Sequence, residues 1–286
     1  MLKRITLSLI LLLAAGSQAK PASAQALLPY TLPLDEDRLQ ADGESLARDA
    51  ALQAQFQQYD EALARAQLAA QLLPSDPNVL TLLGSLYLQA SNPQPDKAIE
   101  TLNRARTLQP DNAPVMFALG NAYFIQGLYQ EAIGAIKAGL EMEPDTAGAL
   151  FDLGNAYYKL NQYDEAIAQY EASIGKDASF WPAVNNIGLV MYEAGNVDSA
   201  IAQWEEALEL AGQEDGSEPQ LAIAVAQFTQ GTQTLAVSDS AIAALERNPR
   251  YAEIDYLKEN LWGDKLIADT QQFFTLPALQ ELMRAL

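Results

Sequence analysis

The 286-residue chain contains no cysteine and no histidine. Without cysteine there is no disulfide, no thiolate nucleophile and no cysteine metal site. Without histidine, imidazole acid–base chemistry and the common histidine-based zinc site are excluded. Positive charge is also scarce: 17 Lys and Arg face 37 Asp and Glu, for a formal net charge of -20. That balance argues against nucleic acid and against an anionic membrane surface as charge-driven partners. The sequence has no glycine-rich phosphate loop, no G-x-S-x-G elbow and no H-E-x-x-H helix. Nor does it have an EF-hand calcium loop. Carboxylates are plentiful, but no pair stands apart from the rest. The expectation is a non-enzymatic protein with no catalytic residues, no cofactor and no metal site.

Hydrophobic residues make up 49% of the chain, enough to build a core without disulfides. The N-terminus opens with Lys3 and Arg4, an apolar run from Ile5 to Ala15, and the small-x-small stretch Ala22-Ser23-Ala24. This is the layout of an export signal spanning residues 1–24. The alternative is a retained anchor, but the apolar run is short for a bilayer core of about 30 Å. The expected location is a periplasm or a lumen, the thylakoid lumen included, rather than the medium. Residues 25–42 hold Pro29, Pro33 and Asp35-Glu36-Asp37, and read as an extended lead-in.

What dominates the rest is a period. Gly120, Gly154 and Gly188 lie 34 residues apart, and each is followed twelve residues later by Ala132, Ala166 or Ala200. Tyr123 and Tyr157 stand three residues after the first two glycines, and Pro144 closes one unit. Apolar residues spaced i, i+3, i+4 and i+7 give two amphipathic helices per unit. Turns fall near Gly127, Asn161 and Gly195. The small residues allow close approach of the helices, opposite Ile136, Tyr170 and Trp204.

These residues resemble the tetratricopeptide repeat pattern W-x2-L-G-x2-Y, A-x3-F, P. The resemblance implies an all-α fold, a right-handed α-solenoid of antiparallel helix pairs. Five repeats are expected at 43–76, 77–112, 113–146, 147–180 and 181–214. The first is weak at its front, with Ala50 where Gly belongs. The second carries two extra residues around Ser91-Asn92-Pro93-Gln94-Pro95, which must widen its inner turn. A divergent sixth repeat follows at 215–251, because Pro249 comes too soon after Ala241. Residues 252–286 are expected as capping helices. Their apolar residues, Trp262, Phe273 and Phe274 among them, serve either to seal the last repeat or to carry homo-oligomerisation.

In this family one face of each first helix lines a concave groove that takes an extended peptide or a partner helix. The matching positions here are Phe117, Asn121 and Phe124, then Phe151, Asn155 and Tyr158 with Lys159 beside them, then Asn185 and Tyr192. Aromatic rings supply rigid apolar area, and asparagine amides can pair with a peptide backbone. The asparagines also have a plain structural alternative, bonding between neighbouring helices. Lys or Arg is absent at Phe117 and Phe151, so the basic clamp of chaperone-binding members is not expected. Two functions therefore stand. One is an adapter that binds a segment of another exported or membrane protein in the groove and assists complex assembly. The other is a self-associating structural envelope protein with an unoccupied groove.

Overall fold

The computed structural model describes residues 35–212, 216–232 and 234–285. The expected export signal lies outside the described residues. The chain divides into two units, residues 1–39 and 40–286. Of the first unit only the start of helix α1 (Glu36–Gln55) is described, where Asp35 Oδ1 accepts the backbone N–H of Arg38 at 3.1 Å. The lead-in read as extended is thus already helical from Glu36. Acids in a first turn favour this, since free N–H groups and the helix dipole stabilise them.

The second unit is a solenoid of helix pairs, with no strand among the described residues. After α1 come α2 (Tyr59–Leu72), α3 (Pro77–Gln89), α4 (Pro95–Leu108), α5 (Ala113–Ile125) and α6 (Tyr129–Met142). Then follow α7 (Ala147–Lys159), α8 (Tyr163–Lys176), α9 (Trp181–Glu193), α10 (Val197–Ala211), α11 (Ser217–Thr229) and α12 (Leu235–Arg247). A 3₁₀ turn (Pro249–Ala252) leads to α13 (Ile254–Glu259), α14 (Asp264–Phe273) and α15 (Pro277–Ala285). The second helices α4, α6, α8 and α10 each pack on the first helix of their own pair and on that of the next.

Local chemistry sets the helix ends. Asp76 caps α3 by accepting from Asn78 N and Val79 N at 2.8 and 3.1 Å, with Pro77 at the first helical position. Asn112 caps α5 in the same way, through Val115 N at 3.2 Å. The first helices stop where the chain turns left-handed, at Gln57, Gly127, Asn161, Gly195 and Gly231. At each stop two backbone N–H groups return to the last turn, as Gly127 N does to Phe124 O and Leu128 N to Tyr123 O. The widened second repeat departs from this pattern. There Gln94 N spans back to Tyr87 O, and Asp60 Oδ1 and Oδ2 accept from Ser91 N and Oγ at 3.0 and 2.6 Å.

The repeating glycine is a packing requirement. A Cβ on Gly154 would come within 2.5 Å of the Tyr170 ring, and one on Gly84 within 2.5 Å of Leu102. Gly120 and Gly188 are closed in the same way by Ile136 and Trp204. These large partners are themselves fully buried, so each pair of helices is locked through one glycine and one bulky side chain.

Candidate functional site

The first helices α3, α5 and α7 lie side by side, and their shared face carries the candidate groove residues. Over the early repeats this face reaches solvent. Asn121 is exposed, while Phe117 is half-buried against Gly139, where it leaves no room for a side chain. Phe124 is half-buried, its ring 5.4 Å from that of Tyr129. Ala47, Ala51, Val79 and Leu82 line an open depression of about 440 Å³ between α1 and α3, together with the polar Glu44, Arg48, Asp76 and Asn78.

Over the later repeats the same face is covered by the chain itself. Helix α14 packs across α9 and α11, and α15 packs on α12. The Glu193 carboxylate accepts the backbone N–H groups of Lys265 and Leu266 at 3.1 and 2.9 Å, so the end of α9 caps the start of α14. Tyr192 is 0% exposed, donates to Asp269 Oδ2 at 2.7 Å, and lies under Lys265 Nζ at 3.6 Å from its ring centre. Trp262 Nε1 donates to Glu218 Oε1 at 3.1 Å. The apolar residues of this segment, Trp262, Leu266, Phe273, Phe274 and Leu279, are buried in one core with Tyr158 and Tyr192. They are therefore not an exposed oligomerisation surface.

This cover corrects the picture of a continuous open groove. Asn155 is buried, and its Oδ1 accepts from Tyr170 Oη at 2.8 Å and from Asn186 Nδ2 at 3.0 Å. Both lone pairs are spent inside the fold, which is the structural alternative for this position. Asn185 is 1% exposed and Tyr158 6%. Burial drives the Tyr158 hydroxyl well above the usual phenol range, and the nearby Glu193 charge adds to the rise. Tyr192 is raised too, by burial first. Phe151 keeps a partly open edge, packed 5.3 Å from Phe180 edge-on and 5.7 Å from Tyr170. Lys159 is half-buried beside a cavity of about 290 Å³; desolvation lowers its pKa while Asp264 opposes the fall.

Sequence reasoning singled out neither Glu218 nor Asp269. A signal for Glu218 exists. It heads the apolar run of α11, in which Pro219, Leu221, Ala222, Ala224, Val225 and Ala226 are all buried. An acid at the head of such a run needs donors, and Trp262 and Tyr251 supply them. Among the described residues no group of carboxylates is arranged to hold a metal ion, and no helix is long and apolar enough to cross a membrane.

Comparison with known proteins agrees with this architecture. A tetratricopeptide repeat family model matches residues 117–180 and 185–252. The model for subunit 3 of the anaphase-promoting complex, or cyclosome, matches residues 55–139. No curated protein matches the chain. Among solved structures, a thermophilic tetratricopeptide protein of Thermus thermophilus, TTC0263, shares 20% identity over 65% of this chain and 99% of its own, with a TM-score of 0.55. A structure of the MamA protein shares 26% identity over 62% of this chain and 91% of its own, with a TM-score of 0.50. YrrB, a tetratricopeptide protein with an unusual peptide-binding site, shares 17% identity over 68% of this chain and 95% of its own, again with a TM-score of 0.50. The chain therefore carries the tetratricopeptide repeat fold, the architecture of a protein–protein interaction module.

Proposed function

We propose that the chain is a self-associating scaffold whose contacts run through its first repeats. The observation that carries this reading is the division of the first-helix face. Its later half is filled by the chain's own α13–α14 segment, so that half does not wait for a foreign peptide. What stays open includes large apolar side chains at the N-terminal end of the stack. Leu52 on α1 and Phe56 in the turn that follows it are 53% and 69% exposed, and Leu68 on α2 is 50% exposed. Interior repeats bury such faces on a neighbour, and an end that presents one is complementary to another apolar end. The test is light scattering of the full chain over a concentration series, beside a Leu52→Ser/Phe56→Ser variant. Concentration-dependent dimers that the variant loses support the reading. A monomer throughout, in both proteins, sinks it.

A second reading keeps the adapter role but confines it to the open half, supported by exposed Asn121 beside half-buried Phe117 and Phe124. Crosslinked purification of the tagged chain from its own cells, beside a Phe117→Ala/Asn121→Ala variant, separates the two readings. A foreign partner lost only in that variant favours the adapter. We also propose export of the chain, supported by the layout of residues 1–24. N-terminal sequencing of the protein from fractionated cells decides it, and an intact Met1 in the cytoplasmic fraction overturns it.

A further inference from the structure

The first repeat ends the stack on a position that every later repeat buries. Two residues after the repeat glycine stand Leu86, Ala122, Ala156 and Val190, with Ala224 in the same place on α11, and all five are buried. Each lies on a first helix that packs against the second helix before it. Leu52, two residues after Ala50, holds that place on α1, and it is open to solvent. Among the described residues no second helix precedes α1.

The rest of this face does not suit another repeat. One residue before the glycine position, the later first helices bury Leu83, Leu119, Leu153, Ile187 and Leu221, whereas α1 has the exposed Asp49. Four residues further back, where Val79, Val115, Ala149 and Ala183 are buried, α1 has the exposed Ser45. A helix laid along the whole of α1 would bury the Asp49 carboxylate, and a buried charge without a partner is costly. The apolar part of the face is therefore confined to Leu52 and to Phe56 in the turn after it. The far end of the stack is closed as well: α15 packs on α12, and Leu279 is fully buried in the shared core. Head-to-tail growth needs two complementary ends, and a chain with one open end pairs that end with itself.

Charge points to the same occupant. Two copies of net charge -20 repel one another, and residues 50–59 hold no charged side chain. One turn before Leu52, on the same face, Arg48 is exposed, and its guanidinium comes no nearer than 3.8 Å to its neighbour Glu44. In an antiparallel pair of α1 helices that cross at Leu52, residues equally far from Leu52 on either side meet. Arg48 of one copy then falls opposite Phe56 of the other, a guanidinium on an aromatic ring, and the contact occurs twice. Asp49 falls opposite Gln55, whose amide can donate to it.

We infer that the chain forms a closed two-fold dimer in which α1 of one copy crosses α1 of the other antiparallel at Leu52. The inference rests on the self-association proposed above and names its partner surface, the same face of a second copy rather than the early groove or the far end. A standard interface covers about 800 Å² on each partner. Two apolar side chains and their polar rim supply only part of that, so the dimer is reversible and depends on concentration.

The test exploits the absence of native cysteine. The full-length Leu52→Cys chain is oxidised at a concentration at which light scattering shows the parent to be associated. The parent mass should level off at two chains, and a disulfide should link one Leu52→Cys chain to another. Arg48→Ala should weaken association by at least about fivefold, since it removes both ring contacts. Leu52→Cys protein is also mixed with an Asn121→Cys or a Leu235→Cys chain enlarged by a tag, which probes the groove and the exposed start of α12. Three results overturn the inference while self-association stands: a mass that climbs past two chains, a mixed disulfide that forms faster than the symmetric one, or association unmoved by Arg48→Ala. A parent that stays monomeric at every concentration sinks both.

Discussion

Glu193, the last residue of α9, holds Leu266 by its backbone N–H at 2.9 Å across 73 residues of chain. Its other carboxylate oxygen takes Lys265 N at 3.1 Å. One side chain therefore caps α14 and fastens it to the fifth repeat. Such caps are worth about 0.5–2 kcal/mol, and the negative charge at a helix N-terminus adds to that. Glu193→Ala should lower stability by about 1–2 kcal/mol in denaturant titration. It should also raise hydrogen exchange at α14 and at Tyr192 more than in α3–α5. Glu193→Gln, which keeps an acceptor, should recover part of the loss. Uniform loss of protection along the whole chain would show that the carboxylate does not act locally.

The glycine–aromatic lock predicts a coupling. Gly154→Ala forces a methyl group toward the Tyr170 ring, with Leu153 and Ala156 buried on either side. Overpacking of this kind costs about 1–3 kcal/mol. Tyr170→Ala alone should cost about 3–5 kcal/mol, through the cavity it leaves. Combined, the two should cost less than their sum by at least about 0.5 kcal/mol, because the added methyl then enters space that the ring has vacated. Additive losses in the double-mutant cycle would mean that the backbone, and not the ring, absorbs the strain.

Asn121 and Asn155 occupy the same place in successive repeats, and the structure separates them. Asn121 is exposed, while Asn155 is buried with both lone pairs engaged. Asn155→Ala strands Tyr170 Oη and Asn186 Nδ2, at a cost of about 1–3 kcal/mol, and Asn121→Ala should stay within about 0.5 kcal/mol of the parent. Thermal melts of the two variants measure the contrast directly. Equal effects would show that repeat position, rather than burial, sets the role of the asparagine.

The same pair shows what the sequence discloses. Repeat geometry is local: Gly154, Tyr170 and the turn at Asn161 fall within a few turns of one another, so periodicity reveals them. Whether Asn155 faces water depends on Asn186, 31 residues on, and on a C-terminal segment without repeat character. The pairings of Tyr192 with Asp269 and of Glu218 with Trp262 span 77 and 44 residues, and nothing periodic links them. The acids that open the second helices sit as first-turn charges, a position that sequence spacing discloses. Spacing does not disclose that Asp60, Asp96 and Asp198 also accept from Ser91, Gln126 and Gln230 at the end of the next first helix.

Asp152 makes one contribution to the pH dependence of stability. It lies one residue from Phe151 on α7, close enough to Tyr170 for its charge to raise that hydroxyl. Loss of hydration beside the packed repeats pushes its carboxyl up to about 6 from an ordinary value of 3.8. Asp152 is nonetheless exposed, so water relieves much of this penalty, and the prediction rests on the direction of the shift alone. A folded-state pKa above the unfolded value means that the folded chain binds this proton more tightly. Stability is then highest with the group protonated, falls as pH rises from about 4 to about 6, and is level above that window. Asp152→Asn removes the ionisation. Its stability relative to the parent should therefore rise across the same window and stay level beyond it. Denaturant titrations of both proteins at closely spaced pH values from below that window to above neutrality give the difference curve. A curve that is flat through the window, or that slopes the other way, would show that the folded carboxylate is as well solvated as the unfolded one.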